Sequence, residues 1–165
     1  MQTVQAPPAK PVSGLAGKLN IAETVLAFLG SGVAGTLWWA HSHRVDLPCT
    51  NDGGCDIVAA SKWAHVTLAG QTFDVALMGF LGYLALLTLG MAKAGADNPV
   101  MAGRLHWLVW LISAGGAAYS IYLQYVAHWV LHAFCPWCFT SASIMTILFL
   151  VACAETKARS GVNSL

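Results

Sequence analysis

Long apolar runs separated by short polar breaks organise the chain. Between Lys18 and Arg44 the only charge is Glu23. Val75–Ala92 carries none and is bounded by Asp74 and Lys93, and Leu105–Ala154 contains no Asp, Glu, Lys or Arg. A helix crossing a bilayer needs roughly 20 mostly apolar residues. The last stretch is too long for one crossing and suffices for two with a turn. The pattern predicts spans at 19–40, 74–92, 105–127 and 136–154, with the final turn at His128–Phe134. Pro136 suits a helix start, because the N–H it lacks has no partner there. Asp56–Trp63 predicts a short interfacial helix between the first two spans. The expected fold is an all-α integral membrane protein, a four-transmembrane-helix bundle with a short helix in the outer loop between helices 1 and 2. It has a flexible tail (1–18), a membrane domain (19–154) and a C-terminal tail (155–165).

Composition narrows the class. Of 165 residues, 57% are hydrophobic and 9% charged, with a mean hydropathy of +0.63. Soluble domains carry about 25% charged residues, so an ordinary soluble domain and a disordered chain are excluded. A net charge of +1 gives no basic field for nucleic acid.

Charge also sets orientation. Lys10, Lys18, Lys93, Arg104, Lys157 and Arg159 fall on one side of the predicted spans, Arg44 and Lys62 on the other. The positive-inside rule puts both termini in the cytoplasm of a plasma (inner) membrane. Cys49, Cys55, Cys135 and Cys138 then face outward, and Cys153 sits alone at the cytoplasmic end of the last span.

Four thiols on an oxidising face point either to structural disulfides or to exchange chemistry. Cys135-Pro136-Trp137-Cys138 is a CxxC opening a helix. The positive helix end stabilises a thiolate and lowers its pKa. So small a disulfide loop adds little as a staple, since crosslink stabilisation grows with loop length. Cys49 and Cys55 flank the turn-forming residues Asn51, Asp52, Gly53 and Gly54, which suits a mobile pair reachable by a soluble protein. Zinc held by the four cysteines is the rival from another class, although Cys-x5-Cys is wider than usual zinc spacing. Inert disulfides are a second rival.

The chain resembles the vitamin K epoxide reductase family over about residues 19–154. The resemblance is carried by Cys49, Gly54-Cys55-Asp56-Ile57-Val58, Ser61-Lys62-Trp63, Ala76-Leu77-Met78-Gly79-Phe80 and Cys135-Pro136-Trp137-Cys138. A loop pair first and a CxxC last separates it from the disulfide-bond-forming B type, whose CxxC lies in the first outer loop. The resemblance implies a four-helix thiol:quinone oxidoreductase that supports extracytoplasmic disulfide formation. It implies Cys138 beside a quinone (menaquinone or ubiquinone) and Cys135 exchanging with the loop pair. Cys49 is implied to meet Cys135, and Cys55 to meet a separate thioredoxin-like partner of the disulfide-bond-forming A type, since the chain ends soon after the last span. Asp74 stands where many bacterial members have proline. Val75 and Ala142 stand near the asparagine and tyrosine with which vertebrate members hold the vitamin, which counts against true epoxide reduction.

Candidate pocket residues are Trp63, Val75, Gly79, Phe80, Tyr83, Tyr122, Trp137 and Ala142; for the aromatics, plain core packing is the alternative. His41, His43, His65, His128 and His132 lie on the outer side, as proton carriers, zinc ligands or, with more weight, interfacial side chains. Glu23 is expected to snorkel to the cytoplasmic interface, and Asp74 is near enough to the thiols to affect protons. Gly30, Gly32, Gly35, Gly79 and Gly82 are expected at close helix contacts, and Cys153 is an inert core thiol.

Overall fold

The computed structural model describes residues 14–43, 45, 49, 54–68 and 70–162. The predicted tail up to residue 13, Arg44 and the turn at Asn51–Gly53 lie outside the described residues. The elements are α1 (Gly14–His43), α2 (Gly54–Ala59), a 3-10 turn (Lys62–Ala64), β1 (His65–Leu68), β2 (Gln71–Asp74), α3 (Val75–Ala94), α4 (Pro99–Trp129) and α5 (Pro136–Val162).

Helix ends follow local chemistry. The Asp74 carboxylate caps α3 by accepting from the Ala76 N–H at 2.8 Å, and Asn98 caps α4 through Val100 at 2.9 Å, with Pro99 at its first turn. Beyond α4, His132 takes a left-handed φ of 50° and the Ala133 N–H returns to the Ala127 carbonyl. The chain thus reverses where the sequence predicted a turn, and α5 begins at Pro136.

The buried stripe of α1 runs through Ala16, Asn20, Glu23, Ala27, Gly30, Ala34, Leu37 and Ala40, spaced three or four apart as one helix face requires. All but Leu37 are small or polar. Ile21, Val25, Phe28, Leu29 and Trp39 point outward. An inside more polar than the outside is unfavourable in water and suits a lipid surround. Helix α1 packs on α3 and α5, and α4 packs on the same two. Among the described residues, α1, α3 and α5 are long and apolar enough to cross a membrane. Helix α4 is as long but diluted by Trp, Tyr, Gly and Gln, which score low on hydropathy.

Four expectations change. The outer segment is not one helix over Asp56–Trp63: α2 ends at Ala59, and an antiparallel hairpin pairing His65 with Asp74 and Val66 with Phe73 follows. The fold is therefore not purely α-helical. β-Branched Val66, Thr67 and Thr72 favour extended backbone, and Gly70 supplies the positive φ of the turn. Second, α5 runs to Val162 rather than yielding to a tail after residue 154. Third, Glu23 does not snorkel. It is 2% exposed and accepts from the Lys93 ammonium at 2.6 Å; Lys93 also reaches Glu155 at 2.7 Å, and Arg159 binds the other Glu155 oxygen. His106 from α4 completes this buried cluster, 3.6 Å from Glu155. Fourth, of the glycines expected at close contacts, Gly30 meets Tyr83 and Gly35 meets Phe80, but Gly32, Gly79 and Gly82 border open space.

Candidate active site

Cys135 occupies the position before α5, and its sulfur does what a capping oxygen usually does. The Cys138 N–H donates to Cys135 Sγ at 3.3 Å, while the Cys135 carbonyl receives the Phe139 N–H. The helix end and the Cys138 thiol favour negative charge there. Hydrogen bonding from Cys138, then from backbone N–H groups, outweighs burial and brings the Cys135 pKa down to about 7. Cys135 is buried, 4% exposed, and Cys138 is half-buried.

Cys49 and Cys55 are joined in a disulfide, with Cα atoms 6.2 Å apart. A Cβ on Gly54 would run into the Phe134 carbonyl, so the loop pair rests against the residue preceding Cys135. Cys55 is 4% exposed and Cys49 less buried. That order is the reverse of the one implied by an outward-facing Cys55. The disulfide also withdraws two sulfurs from the thiolate set that a zinc site needs. Cys153 is half-buried within α5.

Beside Cys138 lies a cavity of about 460 Å³ between the ends of α1, α3, α4 and α5 nearest the CxxC, roofed by the 3-10 turn and β1. Its walls are mainly apolar, including Leu37, Val58, Val66, Ile112, Leu123 and Met145. Gly79, Gly82 and Gly115 leave space that side chains would fill. Polar side chains on the lining are His41, Ser61, Asp74, Tyr83, Tyr119, Ser120, Gln124 and Ser141. The volume and lining match a site for a small, flat, mostly apolar molecule, and a quinone head group fits that description, with the Cys138 sulfur on the wall.

Of the predicted pocket residues, Trp63, Val75, Gly79, Tyr83 and Ala142 line this cavity together with Cys138. Tyr83 is 1% exposed and donates its hydroxyl to the Ser141 carbonyl at 2.7 Å, fixing α3 against α5. Phe80, Tyr122 and Trp137 are not among the lining residues. Phe80 stacks on Trp38 at 5.9 Å and fills the notch of Gly35. Tyr122 is exposed and meets Trp63 edge-on. Trp137 is half-buried between the two thiols in sequence.

Sequence reasoning did not bring His41 and Asp74 together. His41 Nδ1 lies 3.6 Å from Asp74 Oδ2 at the cavity edge. Burial pushes the Asp74 carboxyl up, but His41 and the Ala76 N–H outweigh it and hold the group below its ordinary value. The one close set of potential metal ligands among the described residues, Glu23, His106 and Glu155, lies at the opposite end of the helices, where Lys93 already bridges both carboxylates. A family model described as the vitamin K epoxide reductase family matches residues 21–153.

Proposed function

Because the chain belongs to the vitamin K epoxide reductase family, whose members point to membrane oxidoreductases acting on disulfides, we propose that it is a thiol:quinone oxidoreductase of extracytoplasmic disulfide formation. The observation that carries this reading is the single-file arrangement of one loop disulfide resting on Phe134, a capped Cys135 thiol, and Cys138 on the wall of an apolar cavity. A reduced thioredoxin-like partner attacks the loop disulfide at the less buried Cys49. Cys55 leaves as thiolate and attacks Cys135 of the oxidised CxxC, and Cys138 is released on the cavity wall. The partner's second thiol then frees Cys49, Cys49 displaces Cys135 from Cys55 to restore the loop disulfide, and the reduced Cys135–Cys138 pair would pass two electrons and two protons to a quinone held in the cavity as its disulfide re-forms.

This assignment exchanges the roles first expected of Cys49 and Cys55, and burial is its support. Cys135 is the group attacked in this step and, with its pKa near 7, a good leaving thiolate when Cys49 displaces it from Cys55 and the loop disulfide re-forms. The residues that would hold the quinone are Trp63, Val75, Gly79, Tyr83 and Ala142. Helix α4 acts as the fourth span: at 31 residues it reaches about 46 Å at 1.5 Å per residue. The thiols face the extracytoplasmic side and both termini the cytoplasm, as the excess of basic residues at the opposite helix ends supports.

The test is reconstitution of the purified protein with a short-chain quinone and a reduced thioredoxin-like protein. Thiol oxidation coupled to quinone loss is expected, and Cys138→Ala abolishes it. Turnover retained by Cys138→Ala contradicts the reading.

A further inference from the structure

His41 closes the last turn of α1, where a helix end favours positive charge. Its Nδ1 faces the Asp74 carboxylate, and its ring lies on the cavity wall that also carries Cys138. Among the described residues its Nε2 has no hydrogen-bond partner. An imidazole with a carboxylate 3.6 Å from one nitrogen and the other nitrogen free is arranged to take up and release a proton at the free nitrogen. Asp74 is itself fixed, because its second oxygen caps α3.

We propose that His41 is the proton-transfer residue of the cavity, moving a proton between the CxxC thiols and the carbonyl oxygen of a bound quinone, with Asp74 as its positioning residue. The inference rests on the quinone reading above. In the step, the Cys135–Cys138 bond forms and the two sulfurs give up two electrons to the quinone. The two thiol protons end on its oxygens, and His41 carries one of them. Protonated His41 also donates a hydrogen bond from Nε2 to that oxygen. The titratable groups around His41 are Asp74, Asp56 from α2 and Cys135 ahead of α5. His65 of β1 adds to the field at Asp74, and Tyr119 of α4 lines the same cavity. The two carboxylates and the Cys135 thiolate all favour a protonated ring.

The experiment reads binding without turnover. Full-length protein with both pairs oxidised is titrated with a short-chain quinone at several pH values, following the tryptophan fluorescence to which Trp63 contributes. Wild type is expected to bind more tightly as pH falls and His41 gains its proton. In His41→Ala, affinity falls about tenfold, the size of one charge-assisted hydrogen bond, and the pH dependence disappears. His41→Gln keeps a neutral donor, so it restores part of the affinity but none of the pH dependence. Asp74→Asn keeps the cap, since Asn caps as well as Asp, and moves the midpoint of the pH dependence downward. Unchanged affinity and pH dependence in His41→Ala and His41→Gln would overturn the proposal while leaving the quinone reading intact. No binding by wild type at any pH would overturn both.

Discussion

Gly54 and Phe134 lie backbone against backbone, close enough that a Cβ on the glycine would strike the Phe134 carbonyl. Each immediately precedes a cysteine, and those two cysteines, Cys55 and Cys135, are both 4% exposed. The contact joins the segment that carries Cys55 to the residue ahead of Cys135 at the start of α5. Disulfide exchange depends on one sulfur reaching another, so on the proposed path this contact is expected to affect the rate of transfer.

Gly54→Ala is therefore expected to leave the Cys49–Cys55 bond able to form while slowing transfer to Cys135 by about 10- to 100-fold, the scale of a misplacement near 1 Å. Stopped-flow measurement of loop reoxidation in the reconstituted system reads this. A rate equal to wild type would show that the contact is incidental.

The capping geometry of Cys135 sets a pH dependence. Its thiolate forms above about pH 7, against about 8.5 for a free cysteine. In reduced protein, alkylation of Cys135 should be near its plateau at pH 8 and fall about tenfold per unit below the midpoint. In Cys138→Ala, which removes the largest stabilising hydrogen bond, the midpoint moves up. Mass spectrometry of the Cys135 peptide after timed labelling checks both outcomes.

Gly82 borders the cavity with nothing near the site of its missing Cβ. A Cβ there meets nothing, so Gly82→Leu raises helix propensity and puts its side chain into the cavity space. The expected result is a folded protein whose quinone affinity falls at least about tenfold, while exchange between the two thiol pairs is unaffected. Unaltered quinone binding would place the ligand elsewhere.

Lys93 bridges two buried carboxylates from different helices, Glu23 and Glu155. Lys93→Ala leaves both without their ammonium, a change that costs about 3–5 kcal/mol at a buried pair. A marked fall in thermal midpoint in detergent is expected, and a stability equal to wild type would mean the cluster is solvated.

Much of the fold was legible because apolar runs are long and charges rare. The turn before Pro136 and the CxxC at the start of α5 followed from local chemistry. The hairpin at His65–Asp74 was hidden because a four-residue strand gives too little periodicity beside a span. Its signal was the alternation of Val66 and Thr67 with Thr72 and Phe73 around Gly70. Glu23 was misjudged because one sequence position does not reveal a partner 70 residues away. The same distance problem concealed the pairing of His41 with Asp74 and the contact of Gly54 with Phe134. Which aromatic candidates line the cavity and which pack elsewhere depends on neighbours from other helices that the sequence does not show, as for Phe80 against Trp38.

The most direct test of the account is an anaerobic single turnover. Fully reduced protein is mixed with a short-chain quinone alone, and remaining thiols are counted by alkylation and mass spectrometry. The account expects one equivalent of quinone consumed per disulfide formed, with Cys135 and Cys138 losing their labels before Cys49 and Cys55. In Cys138→Ala no quinone is consumed. Oxidation of the loop pair first, or quinone consumption by Cys138→Ala at the wild-type rate, would contradict it.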